Sequence, residues 1–170
     1  MSHKRISIIS TIFILAVIVL LAGSLPAAAQ AEKIYFSGED CPISMGAPEK
    51  QWIGEDGMLH LRGIPLTTRL DYEPFNGFNY LVVNQDVDLA TGAVHIYGSV
   101  EIHPDGIQGV WLGHFSTKIS PEGVVDGRAV IHGTGELEGK FGINNISSPD
   151  APDPACFNMN TASNGYILVP

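Results

Sequence analysis

Four histidines, His60, His95, His114 and His132, fall with Arg62, Arg128 and Glu101 on alternating positions of segments that read as β-strands. Imidazole, carboxylate and guanidinium groups are the materials of a metal site or an acid–base pair. The chain holds no H-x-x-x-H or H-x-H pair among them. Bringing two of them together therefore depends on strand register, which the sequence leaves open. Solvated histidines on a strand face are the expectation, and neither a metal nor a cofactor is expected. Asp86 and Asp88 ahead of Thr91-Gly92 begin like a calcium loop, but the third acidic ligand and the terminal Glu are missing. They read instead as a polar strand end running into a turn. Ser and His occur without a G-x-S-x-G elbow, and no P-loop or dinucleotide fingerprint is present. Gly133, Gly135 and Gly139 follow a strand pattern, yet no helix-forming run and no Lys-Ser/Thr pair comes after them. Bulges or close backbone approach at a barrel corner account for them better than a phosphate loop. No catalytic residue is assigned. Asn145-Ile146-Ser147 is a glycosylation sequon, meaningful only in a host with that machinery.

The elements that would position these residues are strands. From Gly92 to Gly142 the chain runs in alternating segments separated by short Gly- and Pro-containing turns, the pattern of antiparallel hairpins. Strands are predicted at 32–37, 58–63, 66–72, 79–89, 93–103, 109–119, 124–133 and 166–169. Segment 38–56 reads as mostly loop, and 147–164, with Pro149, Pro152 and Pro154, as an irregular loop. No segment has a helical period. The fold class is all-β: a single antiparallel β-barrel of about eight strands, with a β-sandwich as the alternative.

The alternation also sorts the two faces. Ile96, Val100 and Ile102 share one face of 93–103, Trp111, Phe115, Thr117 and Ile119 one face of 109–119, and Val125, Ala129 and Ile131 one face of 124–133. These dry faces are expected inside. On this reading the interior is apolar, with almost no acid, base or nucleophile, and the titratable residues face water. A barrel of about eight strands is either filled by side chains or holds one small ligand. Trp111, Phe115, Ile96, Val100 and Ile131 are the candidate ligand-binding residues.

The N-terminus carries an address. Lys4 and Arg5 precede an apolar run ending near Gly23, then Pro26 and small residues through Ala31. That is the order of a secretory signal, with cleavage expected before Glu32. The domain organisation is thus a signal peptide, 1–31, and a barrel domain, 32–170. An uncleaved N-terminal membrane anchor is the alternative. After cleavage no stable membrane insertion is expected. The mature 139 residues hold seven Lys+Arg against 18 Asp+Glu, a net charge of −11. Such a chain repels phosphate backbones, so nucleic acid is not an expected partner. In an exported protein the pair Cys41 and Cys156 is expected to form a disulfide. The localisation implied is extracellular or periplasmic.

GVWLGHF, GRAVIHGTGELEG, the closing GYILVP and the upstream QWIGEDGMLHLRG, with Trp52, His60, Arg62 and Gly63, resemble a group of exported bacterial proteins of unknown function. Their domain is similar to the allene oxide cyclase and dirigent barrels. The resemblance spans most of the mature chain, Trp52 to Leu137 best. It implies a small antiparallel barrel, and barrels of this type are often homo-oligomeric. No catalytic residue is carried over, because the polar set inside the cyclase barrel, which includes a carboxylate, has no match by position. The expected function is non-catalytic binding of a small hydrophobic molecule or a partner surface. An isomerase or cyclase of the allene oxide cyclase type, marked by an acidic residue inside the barrel, and a purely structural envelope protein are the alternatives.

Overall fold

The computed structural model describes residues 31–151, 153–156 and 159–170. All but the last residue of the predicted signal segment lies outside the described residues. Among the described residues no helix is long and apolar enough to cross a membrane.

The strands are β1 (Glu32–Met45), β2 (Lys50–Ile53), β3 (Met58–Leu70), β4 (Gly77–Asp88), β5 (Val94–Pro104), β6 (Trp111–Ile119), β7 (Val125–Gly133), β8 (Phe141–Ser147) and β9 (Thr161–Val169). Every pairing is antiparallel, and neighbours run β1-β9-β8-β7-β6-β5-β4-β3, with β1 pairing back onto β3. Eight strands therefore close on themselves, which excludes the sandwich. The ninth, β2, pairs only with the first part of β3.

The hairpins from β4 to β7 follow the alternation in the sequence. The remaining strands depart from it in five places, one of them β2, which forms inside the segment 38–56 expected to be mostly loop. β1 does not stop at Ser37: it pairs with β9 as far as Asp40 and with β3 from Asp40 to Met45. Pro42 is accommodated next to an irregularity between Pro42 and Ser44, where a missing N–H is tolerated. The predicted strands 58–63 and 66–72 are one strand, β3, broken only by a register shift between Leu61 and Ile64. Gly63 sits in that bulge with φ +67°, a conformation that favours glycine. β8 lies in a stretch without apolar alternation, because its inward positions are Gly142, Asn144 and Ile146. Finally β9 begins at Thr161, so the irregular segment is 148–160, with a short 3-10 turn at Pro154–Cys156.

One end of the barrel is filled. Trp111, Phe75 and Leu70 are exposed by 2% or less and pack with Phe36, Ile102, Ile131, Ile167 and Leu137. The Phe75 ring lies edge-on to Trp111 at 5.5 Å and to Phe36 at 4.8 Å. Leu137 is delivered by a 3-10 turn, Gly135–Leu137. Glycine allows the tight curvature: a Cβ at Gly98 would collide with the Val82 carbonyl and stand 3.1 Å from the Phe115 ring. Cys41 and Cys156 form a disulfide with Cα atoms 4.9 Å apart, tying segment 148–160 to β1. Such a bond points to an oxidising compartment outside the cytoplasm.

Candidate functional site

Above the packed end the barrel is hollow. A cavity of about 600 Å³ extends from mid-barrel toward the end formed by the β4–β5 and β6–β7 turns. Its far rim includes Met45, Gly123, Pro149 and Met159, of which Met45 and Met159 are substantially exposed. The volume lies within the usual range for small-molecule sites, about 300–1,000 Å³.

Four of the five residues singled out from the alternation, Ile96, Val100, Phe115 and Ile131, line this cavity. Trp111 does not: it belongs to the packed end, behind Phe75 and Ile102, which do line the cavity. The wall made by β5, β6 and β7 is apolar apart from Thr117.

The opposite wall overturns the expectation of an interior almost without polar chemistry. Asp40 on β1 lines the cavity, as do Thr68 on β3, Asn79 on β4 and Asn144 on β8. Asp40 accepts a hydrogen bond from the Tyr72 hydroxyl at 2.7 Å and one from the Ser163 hydroxyl, on β9, at 2.9 Å. Ser163 in turn accepts from Asn144 Nδ2 at 2.9 Å. Desolvation raises the Asp40 pKa, and the bonds from Tyr72 and Ser163 counter it only in part. Burial, followed by the nearby Asp40 charge, raises that of Tyr72. The result is a carboxyl group in an apolar chamber that binds its proton more tightly than an ordinary aspartate does.

Sequence reasoning missed this set for two reasons. Asp40 fell in a segment read as loop, and Asn144 in a strand without alternation. Asn79 and Thr117 were legible, since each shares the inward parity of its strand with Leu81 or Phe115.

The titratable residues predicted to face outward do so without assembling a metal site. No group of three or more His, Cys, Asp or Glu able to hold a metal occurs among the described residues. His60 and Asp86 are cross-strand partners, with Nδ1 to Oδ1 at 2.6 Å. Arg62 donates to the same oxygen at 2.6 Å and to the Leu61 and Gln85 carbonyls at 2.9 Å each. Desolvation pushes the Asp86 pKa up, but the bonds from His60 and Arg62 outweigh it and leave it lowered. Trp52 on β2 stacks over His60 at 4.9 Å, and the Arg62 guanidinium lies between the Trp52 and Tyr97 rings, 5.2 and 5.5 Å from their centres. Every charge in this cluster already has a partner. Its effect is to fasten β2 and the β3 bulge to the barrel. His95 pairs with Ser116 at 2.9 Å, and His114 and His132 are exposed on β6 and β7. Asp88 caps the β4–β5 turn through Ala90 N at 2.8 Å and the Thr91 hydroxyl at 2.7 Å. Phe78, Tyr80 and Val82 on β4 and Val130 on β7 are apolar residues exposed on the outer surface.

No family model, curated protein or solved structure matches the chain.

Proposed function

We propose that the protein is an exported, non-catalytic barrel that takes up one small, largely apolar molecule. The observation that carries this reading is the cavity of about 600 Å³ above a packed floor, walled by Ile96, Val100, Phe115 and Ile131. Such space is costly to leave unfilled, because the atoms lining it forgo dispersion contacts. Export is supported by the signal-like N-terminus and by the disulfide. The test combines native mass spectrometry of freshly purified protein with NMR of its Ile and Val methyl groups during titration with terpenoids and lipids. Copurification of a small molecule, or shifts confined to Ile96, Val100 and Ile131, is the expected result. Ala129 is buried and faces the cavity, so Ala129→Phe should keep the fold and block uptake. No bound molecule, together with methyl groups indifferent to every compound, would refute the reading.

One observation favours a second reading, an isomerase or cyclase of the allene oxide cyclase type. Asp40, with its raised pKa and its bonds to Tyr72 and Ser163, is the interior carboxyl that such chemistry needs. An internal rearrangement can borrow a proton and return it, so one buried acid suffices without a cofactor. Conversion of an unsaturated epoxide or ketone by the wild type but not by Asp40→Asn would establish it. Binding without turnover would leave the first reading.

A further inference from the structure

Apart from Thr117 on β6, the inward polar residues of the barrel strands gather on one side of the cavity. Asn144, Ser163, Asp40, Thr68 and Asn79 stand on β8, β9, β1, β3 and β4, which are consecutive strands once β1 closes onto β3. Thr68 and Asn79 are direct cross-strand partners, while Asp40 and Thr68 are diagonal neighbours on β1 and β3. They form a polar belt along one side of the cavity, facing the apolar wall of β5 to β7.

Half of this belt is satisfied within the protein and half is not. Tyr72, Ser163 and Asn144 Nδ2 complete a chain of hydrogen bonds ending on Asp40. Thr68 Oγ1, Asn79 Oδ1 and Asn144 Oδ1 are buried and have no partner. Thr68 and Asn79 are only 4% and 6% exposed. A fourth orphaned atom, Trp111 Nε1, belongs to the packed floor rather than to the cavity lining. Buried polar atoms without partners are rare and costly, and three lining one cavity mark where a ligand's polar group belongs. The chemistry of that group can also be read. Because the Ser163 hydroxyl donates to Asp40, its oxygen accepts from Asn144 Nδ2, which leaves Asn144 Oδ1 as an acceptor. Thr68 both accepts and donates, and the Asn79 amide carries a further acceptor and a donor.

We infer that the molecule held in the barrel is an apolar compound bearing a hydroxyl group on one edge, which donates to the Thr68–Asn79–Asn144 side while the hydrocarbon remainder lies against β5 to β7. This rests on the binding reading above and adds the ligand's chemical class and orientation. A hydrocarbon of the same shape would leave the acceptors desolvated. A ketone, which cannot donate, would accept from Thr68 or Asn79 and leave Asn144 Oδ1 unmet.

The experiment uses three probes of one carbon skeleton, borneol, camphor and bornane, with affinities read from methyl chemical shifts of the intact protein. Borneol should bind at least about tenfold more tightly than bornane, with camphor between them. In Thr68→Val/Asn79→Leu, which removes the unmet groups at nearly constant volume, this preference should fall to within about twofold while bornane binding persists. The unliganded double variant should also resist urea better than the wild type, since it loses two buried polar groups without a partner and no internal hydrogen bond. Equal binding of all three probes by the wild type would overturn the inference yet leave the binding reading standing. So would an unchanged borneol preference in the variant. If none of the three binds, the binding reading loses its support, and urea unfolding decides about the belt: a stabilised variant supports unmet groups, a destabilised or unchanged one overturns them.

Discussion

The disulfide offers the sharpest quantitative test, because its worth follows from chain length alone. Cys41 and Cys156 are separated by 115 positions. In the chain-entropy model a loop of that size restricts the unfolded state by about 5 kcal/mol at 25 °C. Unfolding entropy of about 2.1 cal/mol/K per residue, over the barrel domain, makes 1 kcal/mol equal to roughly 3–4 °C in Tm. The double variant Cys41→Ser/Cys156→Ser should therefore melt about 15–20 °C lower than the oxidised wild type. Calorimetry or circular dichroism measures this, and wild type melted with reductant should coincide with the variant. The effect should also be local. Segment 148–160 contributes Pro149, Met159 and Asn160 to the cavity. Besides the disulfide it is held by Asn160, which donates to Glu39 at 3.0 Å, and by the Ser148 hydroxyl, which accepts from Val125 N at 2.9 Å. Amide exchange should accelerate there while β4 to β7 keep their protection. A fall in Tm below about 3 °C, or unchanged exchange in 148–160, would refute the reasoning and assign the tether to Asn160 and Ser148.

Three further outcomes are expected. The raised Asp40 pKa means that the folded state holds the proton more tightly than the unfolded chain. That contribution to stability is fully present below the unfolded value of about 3.9 and is lost as pH rises through the raised folded value, so Asp40→Asn should gain on the wild type as pH increases; a difference in urea unfolding that does not vary between pH 4 and 8 would count against it. Gly98→Ala forces a Cβ into the Val82 carbonyl and should cost about 1–3 kcal/mol in chemical denaturation, where a neutral result would show that β4 and β5 can separate locally. Arg62→Ala leaves Asp86 and the Gln85 carbonyl each short of a donor and should cost about 1–3 kcal/mol, with β2 exchanging faster than the barrel strands; an unaltered β2 would mean that its pairing with β3 and the Trp52 stacking hold it without Arg62.

The limits of the sequence reading are specific. Where one face of a strand is dry and the other wet, as in β5, β6 and β7, the period of two suffices to assign inside and outside, and Ile96, Val100, Phe115 and Ile131 were placed on that basis. Where a strand carries Gly, Pro, Asn or Asp inward, the same rule has nothing to detect. Alternation therefore marks neither β2 nor β8, ends β1 at Ser37 and places Asp40 in a loop. The predicted count of about eight agreed with the barrel only because β3 was divided in two while β8 went unseen.

What the sequence determined alone was local: strand parity in the hairpins, turn positions, acidity, the signal-like leader, and a cysteine pair suited to one compartment. Each depends on neighbours within a few residues or on composition. The closure of β1 onto β3, the division of the interior into a packed floor and a hollow, and the alignment of Asn144, Ser163, Asp40, Thr68 and Asn79 into one belt were decided by tertiary structure. They join residues more than 100 positions apart through register, and register is set by how all eight strands curve and close together.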